Sequence, residues 1–222
     1  MLTPYDWQEG IGNRAQFIEG RLAAGAPVLA VSLDEGILVF TYRKQAGKIY
    51  EIYDRLIYAG LGQQSDIEAL RVAALEFASK EGYNRSEEDV TIQRVATAMS
   101  GAMKRAFSDF TSAPFVGRSL FGEVNETPQE DLYYAIDYDG DYTMHRMSCA
   151  ITGKEDSTVL LDSLKEIDAA TNVDKALERL TELWTANVPE EDRQADIKPE
   201  AVLLERSGER ENRFRLLYPE EF

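Results

Sequence analysis

The stretch GKIYEIYDRLIYAGLG, residues 47–62, holds the pattern on which the fold turns. Ile49, Ile52, Leu56 and Ile57 are apolar, and Glu51, Asp54 and Arg55 interrupt them. Tyr53, Asp54 and Arg55 make a polar corner, and Gly60 and Gly62 close the run. The pattern predicts two short strands joined by a tight turn, with a glycine stop ahead of a helix. Lys48 stands at the head of the first strand and divides two readings. It is a solvated strand-end cation, as most lysines are, or a cation held to meet a partner.

Outward from this core, residues 5–24 place Ile11, Phe17, Ile18 and Leu22 at helical spacing. Gly10 and Gly12 weaken the early part, so the pattern predicts a helix starting near Asn13 and stopping at Gly25. PVLAVSL (27–33) and GILVFTY (36–42) are near-continuous apolar strands around an Asp34-Glu35-Gly36 hairpin. On the other side, 65–83 reads as a helix opened by a capping box, Ser65 with Glu68, and ended by Gly82. Its expected apolar face is Ile67, Leu70, Ala74, Leu75 and Phe77. A second helix is expected from Ser86, with Glu87, Glu88 and Asp89 in its first turn, at the positive end of the dipole. Strands are expected at 114–124, 132–140 and 141–151, the last two joined by an Asp139-Gly140 turn. Helices are then expected within 154–167 and over 172–187. A loop bracketed by Pro189 and Pro199 leads to a last hairpin over 201–218.

Strands and helices thus come in pairs, whereas a doubly wound parallel sheet alternates them singly. The expectation is an α+β fold of two antiparallel sheets with a helical layer on each outer face, and apolar strands buried on both sides. With 222 residues and 44% hydrophobic content, a single domain over 1–222 is expected. Forty acidic residues against 24 basic ones give a net charge of −16, which repels phosphate backbones and excludes nucleic acid as a partner. A single cysteine, Cys149, allows no internal disulfide, and no apolar run approaches the ~20 residues of a membrane span. The acidic, aromatic start MLTPYDWQEG is unlike a signal peptide. A cytoplasmic protein without membrane contact is expected.

The residues offer no active site. His145 is the only histidine, has no nucleophile elbow near it, and reads as structural. One His and one Cys cannot close a zinc shell, so no metal is expected. GLGQQSD (60–66) precedes a helix but lacks the Lys-Ser/Thr of a phosphate loop, and reads as an ordinary turn. No cofactor is expected.

The layer order resembles the N-terminal-nucleophile (Ntn) fold, a four-layer αββα sandwich, and several segments resemble α-type subunits of the proteasome core particle. GAPVLAVSLDEGILVFTYRK (25–44) is similar to that family's first hairpin. Residues 47–78 resemble its Lys-Ile strand, glycine-ended strand and first long helix. GYNRSEEDVTIQRVATAMSGAM (82–103), LYYAIDYDGDYTMHRMSCAITGKED (132–156) and RFRLLYPEEF (213–222) are similar to the second helix and its link, the late hairpin and third helix, and the closing strand with its acidic tail. EIYDR (51–55) and the helix link look closest to bacterial members.

The resemblance implies a division into a gate segment with helix (1–25) and the sandwich (26–222). Catalytic β-type subunits expose a threonine at a processed N-terminus, assisted by a lysine. In the register of the first hairpin, Ala26 between Gly25 and Pro27 takes the nucleophile's place, and Tyr42 takes that of a catalytic aspartate. Lys48 matches the lysine but has no nucleophile to serve. The resemblance therefore implies a non-catalytic α-type subunit. Identical copies would form a ring, heptameric in the family, stacked on β-type catalytic subunits. That ring would gate the entry of unfolded protein substrates and template assembly of the β subunits. In such rings the lysine pairs with the terminal carboxylate of an activator tail, supplied by a regulatory AAA ATPase. By resemblance Lys48 binds that tail, with Gly25, and with Gly62 and Gln63 from across the subunit interface, in the pocket wall. PYDW (4–7) keeps Tyr5 and Asp6 of the archaeal gate motif but has Trp7 in place of arginine, at a shorter spacing from Gly25. The alternative is a divergent self-compartmentalising threonine peptidase or related Ntn hydrolase, which requires processing that exposes a nucleophile. Thr3, Ser32 and Thr41 are poorly placed for that.

Overall fold

The computed structural model describes residues 4–154, 157–188, 190, 193, 196–207 and 213–218. The chain opens with α1 (Pro4–Leu22), followed by the strands β1 (Val28–Leu33), β2 (Gly36–Arg43), β3 (Ile49–Tyr53) and β4 (Leu56–Gly62). The helices α2 (Gln64–Asn84) and α3 (Ile92–Ser108) follow, then β5 (Gly117–Glu123), β6 (Leu132–Ile136), β7 (Tyr142–His145) and β8 (Ser148–Ile151). The last elements are α4 (Thr158–Leu164), α5 (Val173–Asn187), β9 (Lys198–Glu205) and β10 (Phe214–Leu216).

The strands form two five-stranded antiparallel sheets, ordered β10-β9-β2-β1-β8 and β3-β4-β5-β6-β7. Strand alternation sends side chains to both faces, and each face has its own apolar layer. In the first sheet Leu29, Val31, Leu38 and Phe40 pack on Leu160, Leu180 and Trp184 of α4 and α5. In the second, Leu56, Tyr58 and Phe121 pack on Ile67, Leu70, Val95 and Met99 of α2 and α3. Between the sheets lie Val28, Ala30, Ile37, Val39, Ile57, Ala59, Leu61 and Leu120. The expected αββα sandwich is the one observed.

Local differences have identifiable causes. α1 begins at Pro4, nine residues before the expected start, because Gly10 and Gly12 sit inside a helix that tertiary contacts support. Arg14 donates to the carbonyls of Ala106 and Phe107 in the last turn of α3 and of Ser112 in the segment after it, and its guanidinium lies over the Phe110 ring. The expected capping box does not form. Glu68 is held by Arg71 instead, and Gln63 occupies the cap position without a side-chain bond. α2 runs past Gly82 to Asn84, and its buried face is Ile67, Leu70, Ala74 and Ala78, leaving Leu75 exposed. The acids 87–89 form a separate 3-10 turn, so α3 starts at Ile92, not Ser86. Its first amide donates to the Glu123 carboxylate of β5, a cap supplied from 31 residues away.

Residues 141–151 are two strands, not one. β7 pairs with β6 in the second sheet and β8 with β1 in the first, and the chain crosses over at Met147 with φ 65°. The Asp139-Gly140 turn joins β6 and β7 as expected, with Gly140 at φ 87°. Pro199 does not bracket a loop: it lies in β9 opposite Tyr42. Pro189, the tip of the last hairpin (208–212) and the acidic tail (219–222) lie outside the described residues.

Candidate functional site

The α1–β1 connection, the end of β2 and the β4–α2 junction converge on a cleft of about 1180 Å³. Lys48, Gly25, Gly62 and Gln63 all line it, and so does Ala26. The four residues expected to bind a tail therefore meet within one chain, and Gly62 and Gln63 reach the cleft without a neighbouring copy.

Each is placed by local constraints. Gly25 follows the end of α1, its amide donating to Leu22 at 2.7 Å; a Cβ there would stand 2.7 Å from Leu61 Cδ2. The next residues are fastened from below, since the Pro27 carbonyl accepts from Thr41 Oγ1 at 2.7 Å and Trp184 Nε1 at 3.1 Å. Gly62 has φ 142° and its Cβ position lies 2.2 Å from the Val116 carbonyl, so only glycine fits where β4 turns into α2. The Gln63 amide donates to that same carbonyl at 2.8 Å.

Lys48 is gripped by its backbone. The buried Glu200 carboxylate of β9 accepts from the Lys48 amide at 2.9 Å and the Ile49 amide at 3.2 Å, tying the start of β3 to the opposite sheet. The Lys48 side chain then turns into the cleft, and its ammonium donates to the Ala26 carbonyl at 3.3 Å. Burial pushes its pKa down to about 8, against the opposing pull of the Glu200 charge. Burial also raises the Glu200 carboxyl above its usual range, which its backbone donors and the Arg43 and Lys48 charges partly offset. Glu200 was not legible as a site residue; its one signal is a lone acid heading the apolar run AVLL in β9.

Ala26, which the resemblance sets at the nucleophile's place, has a methyl side chain that carries no chemistry, and a Lys48 hydrogen bond occupies its carbonyl. Tyr42, which the resemblance sets at a catalytic aspartate's place, packs its ring on Trp184 at 4.3 Å. The other chemistry-bearing residues stand apart. Cys149 is fully buried between the sheets, with its thiol pushed up to about 12, so it stays protonated and unreactive. His145 lies on β7, where Thr143 Oγ1 meets its Nε2 at 2.8 Å and burial lowers its pKa. Tyr5 and Asp6 occupy the first turn of α1, with Tyr5 83% exposed, and neither lines the cleft. Among the described residues, no group of His, Cys, Asp or Glu side chains is arranged to hold a metal ion, and no helix is long and apolar enough to cross a membrane.

A family model described as "Proteasome subunit" matches residues 24–183. The chain is 35% identical over 130 residues to a protein of Xylanimonas cellulosilytica named "Proteasome subunit alpha", an alignment covering 58% of this chain and 53% of that protein. It is 27% identical over 93% of its length to a protein of the same name from Jonesia denitrificans, spanning 89% of it. A third of that name, from Streptomyces scabiei, is 25% identical over 97% of this chain and 88% of its own. The alignment with the first of these thus spans about half the relative's length, and the other two run nearly end to end.

Proposed function

This chain belongs to the proteasome subunit family, and on that premise we propose that it works as a non-catalytic alpha-ring subunit of a bacterial proteasome core. Copies of the chain form a ring, heptameric as in the family, that stacks on catalytic β-type subunits and templates their assembly. Unfolded proteins pass through it in the cytoplasm. The cleft around Lys48 receives the C-terminal tail of a regulatory AAA ATPase, and the Tyr5–Asp6 end of α1 contributes to the gate.

One observation carries the non-catalytic reading. The Lys48 ammonium meets a main-chain carbonyl at Ala26, where a threonine peptidase would need a free amine and a hydroxyl. The same ammonium is a partly desolvated cation facing open volume, which suits a carboxylate.

The deciding experiment compares wild type with Lys48→Ala, each assembled with its β-type partner. Loss of a charge-assisted bond worth ~1.5–3 kcal/mol weakens each tail roughly ten- to a hundredfold, and several tails per ring multiply the loss. Activator-stimulated protein degradation is expected to collapse in the variant while hydrolysis of short peptides persists. The protein alone is expected to turn over no fluorogenic peptide. Turnover by the isolated chain above a heat-treated control points instead to a threonine peptidase. Unchanged stimulation in Lys48→Ala removes Lys48 from tail binding and leaves it the role of fastening the Ala26 carbonyl.

A further inference from the structure

The chain carries −16 overall, yet the described side chains that line the cleft around Lys48 are mostly of the opposite sign. Among the described residues lining it, Arg21, Arg43, Lys44, Lys48, Lys154 and Arg193 are basic and only Asp196 is acidic. They come from separate elements: the last turn of α1, the end of β2 and the link after it, the segment after β8, and the approach to β9. Arg43, Lys44 and Lys48 are near neighbours in sequence, and the fold brings Arg21, Lys154 and Arg193 to them.

Their roles differ. Arg193 is committed to its own loop, donating to the carbonyls of Val188 and Thr185, and Arg43 donates to Gln45. Arg21, Lys44 and Lys154 are exposed, and none has a carboxylate within salt-bridge distance among the described residues. Three uncommitted cations thus stand around a cleft whose inner cation is Lys48. Single exposed charges are ordinary, but three cations around one concavity, with no ion pair among the described residues, present a field that attracts a negatively charged segment.

We infer that this cleft selects a peptide tail carrying aspartate or glutamate side chains just behind its terminal carboxylate, with Arg21, Lys44 and Lys154 reading those acids. The inference rests on the tail-binding reading of Lys48 and adds the partner's chemistry to it. Lys48 meets the chain terminus, which every protein has. The surrounding cations meet side chains, which differ between partners, and so they supply discrimination. They also draw an acidic tail toward a surface that is otherwise repulsive to it, so they act on the association rate.

The test uses the assembled ring and N-terminally labelled synthetic peptides read by fluorescence anisotropy. One peptide has glutamates behind a free C-terminus, a second has glutamines in their place, a third is the first with an amidated end, and a fourth has lysines for the glutamates. The glutamate peptide is expected to bind about two- to fivefold tighter per acid than the glutamine peptide at low salt, with the gap closing at high salt. Lys44→Glu combined with Lys154→Glu, both at exposed positions, is expected to abolish that preference and to favour the lysine peptide. Equal affinity of the glutamate and glutamine peptides overturns the inference, as does a preference that survives the double charge reversal. The amidated peptide separates the two claims. Its failure to bind supports the Lys48 reading whatever the side chains do, and its full binding sinks that reading even where an acid preference remains.

Discussion

Burial holds the Lys48 pKa down to about 8, far below an ordinary lysine, because the Glu200 charge and the hydrogen bond to the Ala26 carbonyl do not make up for the lost water. A tail carboxylate needs the charged form, so affinity is expected to fall about tenfold between pH 7 and pH 9. Lys48→Arg keeps its charge throughout and is expected to bind more weakly at pH 7 yet without that fall. Anisotropy titrations across this range check it, and a wild-type affinity flat to pH 9.5 contradicts it. The contribution to stability has the opposite sign. The unfolded chain holds the proton up to about pH 10.4, so the folded state gains from this group as pH rises from 8 toward that value. The reason Lys48 could be singled out in the sequence and Glu200 could not lies in this geometry. A lysine after a glycine at a strand head is a local pattern, whereas its anchoring carboxylate arrives from 152 residues away.

At the scale of elements, α1 divides into two faces that a helical wheel runs together. In the sequence Phe17, Ile18 and Leu22 fall at helical spacing, as if on one apolar stripe. Instead Ile18 and Leu22 are fully buried in the inter-sheet core of their own chain, and Phe17 is 59% exposed. Arg118 adds a polar tether, pairing with Glu19 at 3.1 Å and Asp137 at 3.0 Å while donating to the Thr152 carbonyl. Removing the helix therefore opens the core and cannot by itself report on assembly. Point variants can. Ile18→Ala is expected to cost about 2–4 kcal/mol in denaturant unfolding, as a buried large-to-small change does. Phe17→Ser is expected to leave unfolding within ~0.5 kcal/mol of wild type but to shift the ring toward smaller species in light scattering. An intact ring in Phe17→Ser removes the outward face of α1 from the subunit contact. The helix starts misread from sequence share a cause with this stripe. The cap of α3 is a carboxylate from β5, and α1 is tied to the end of α3 by an arginine from its middle.

Taken whole, the molecule was legible in its layers because each strand's apolar run and each helix's stripe answer to burial, which is a local demand. The order of strands within the sheets was not, and residues 141–151 show why. His145, Arg146 and Met147 carry no glycine or proline to mark a break, yet the chain leaves one sheet and enters the other there, with Ser32 donating to the Met147 carbonyl. The sign of the cleft was equally hidden, since net charge is a sum and the cleft is a placement. These two facts oppose each other in a salt titration. Identical chains of −16 repel one another, so closing a ring costs electrostatic work that counterions screen within a Debye length of ~10 Å at 0.1 M and ~30 Å at 0.01 M. The ring is expected to loosen into smaller species near 0.01 M salt and to hold together above ~0.1 M, as followed by sedimentation velocity. Binding of an acidic tail in the basic cleft is expected to run the other way, tightest at low salt in rings that remain closed. Activator-stimulated degradation then peaks at intermediate ionic strength. A monotonic decline from the lowest salt, with the ring intact throughout, shows that subunit contacts outweigh the repulsion of the whole and leaves only the cleft to set the response.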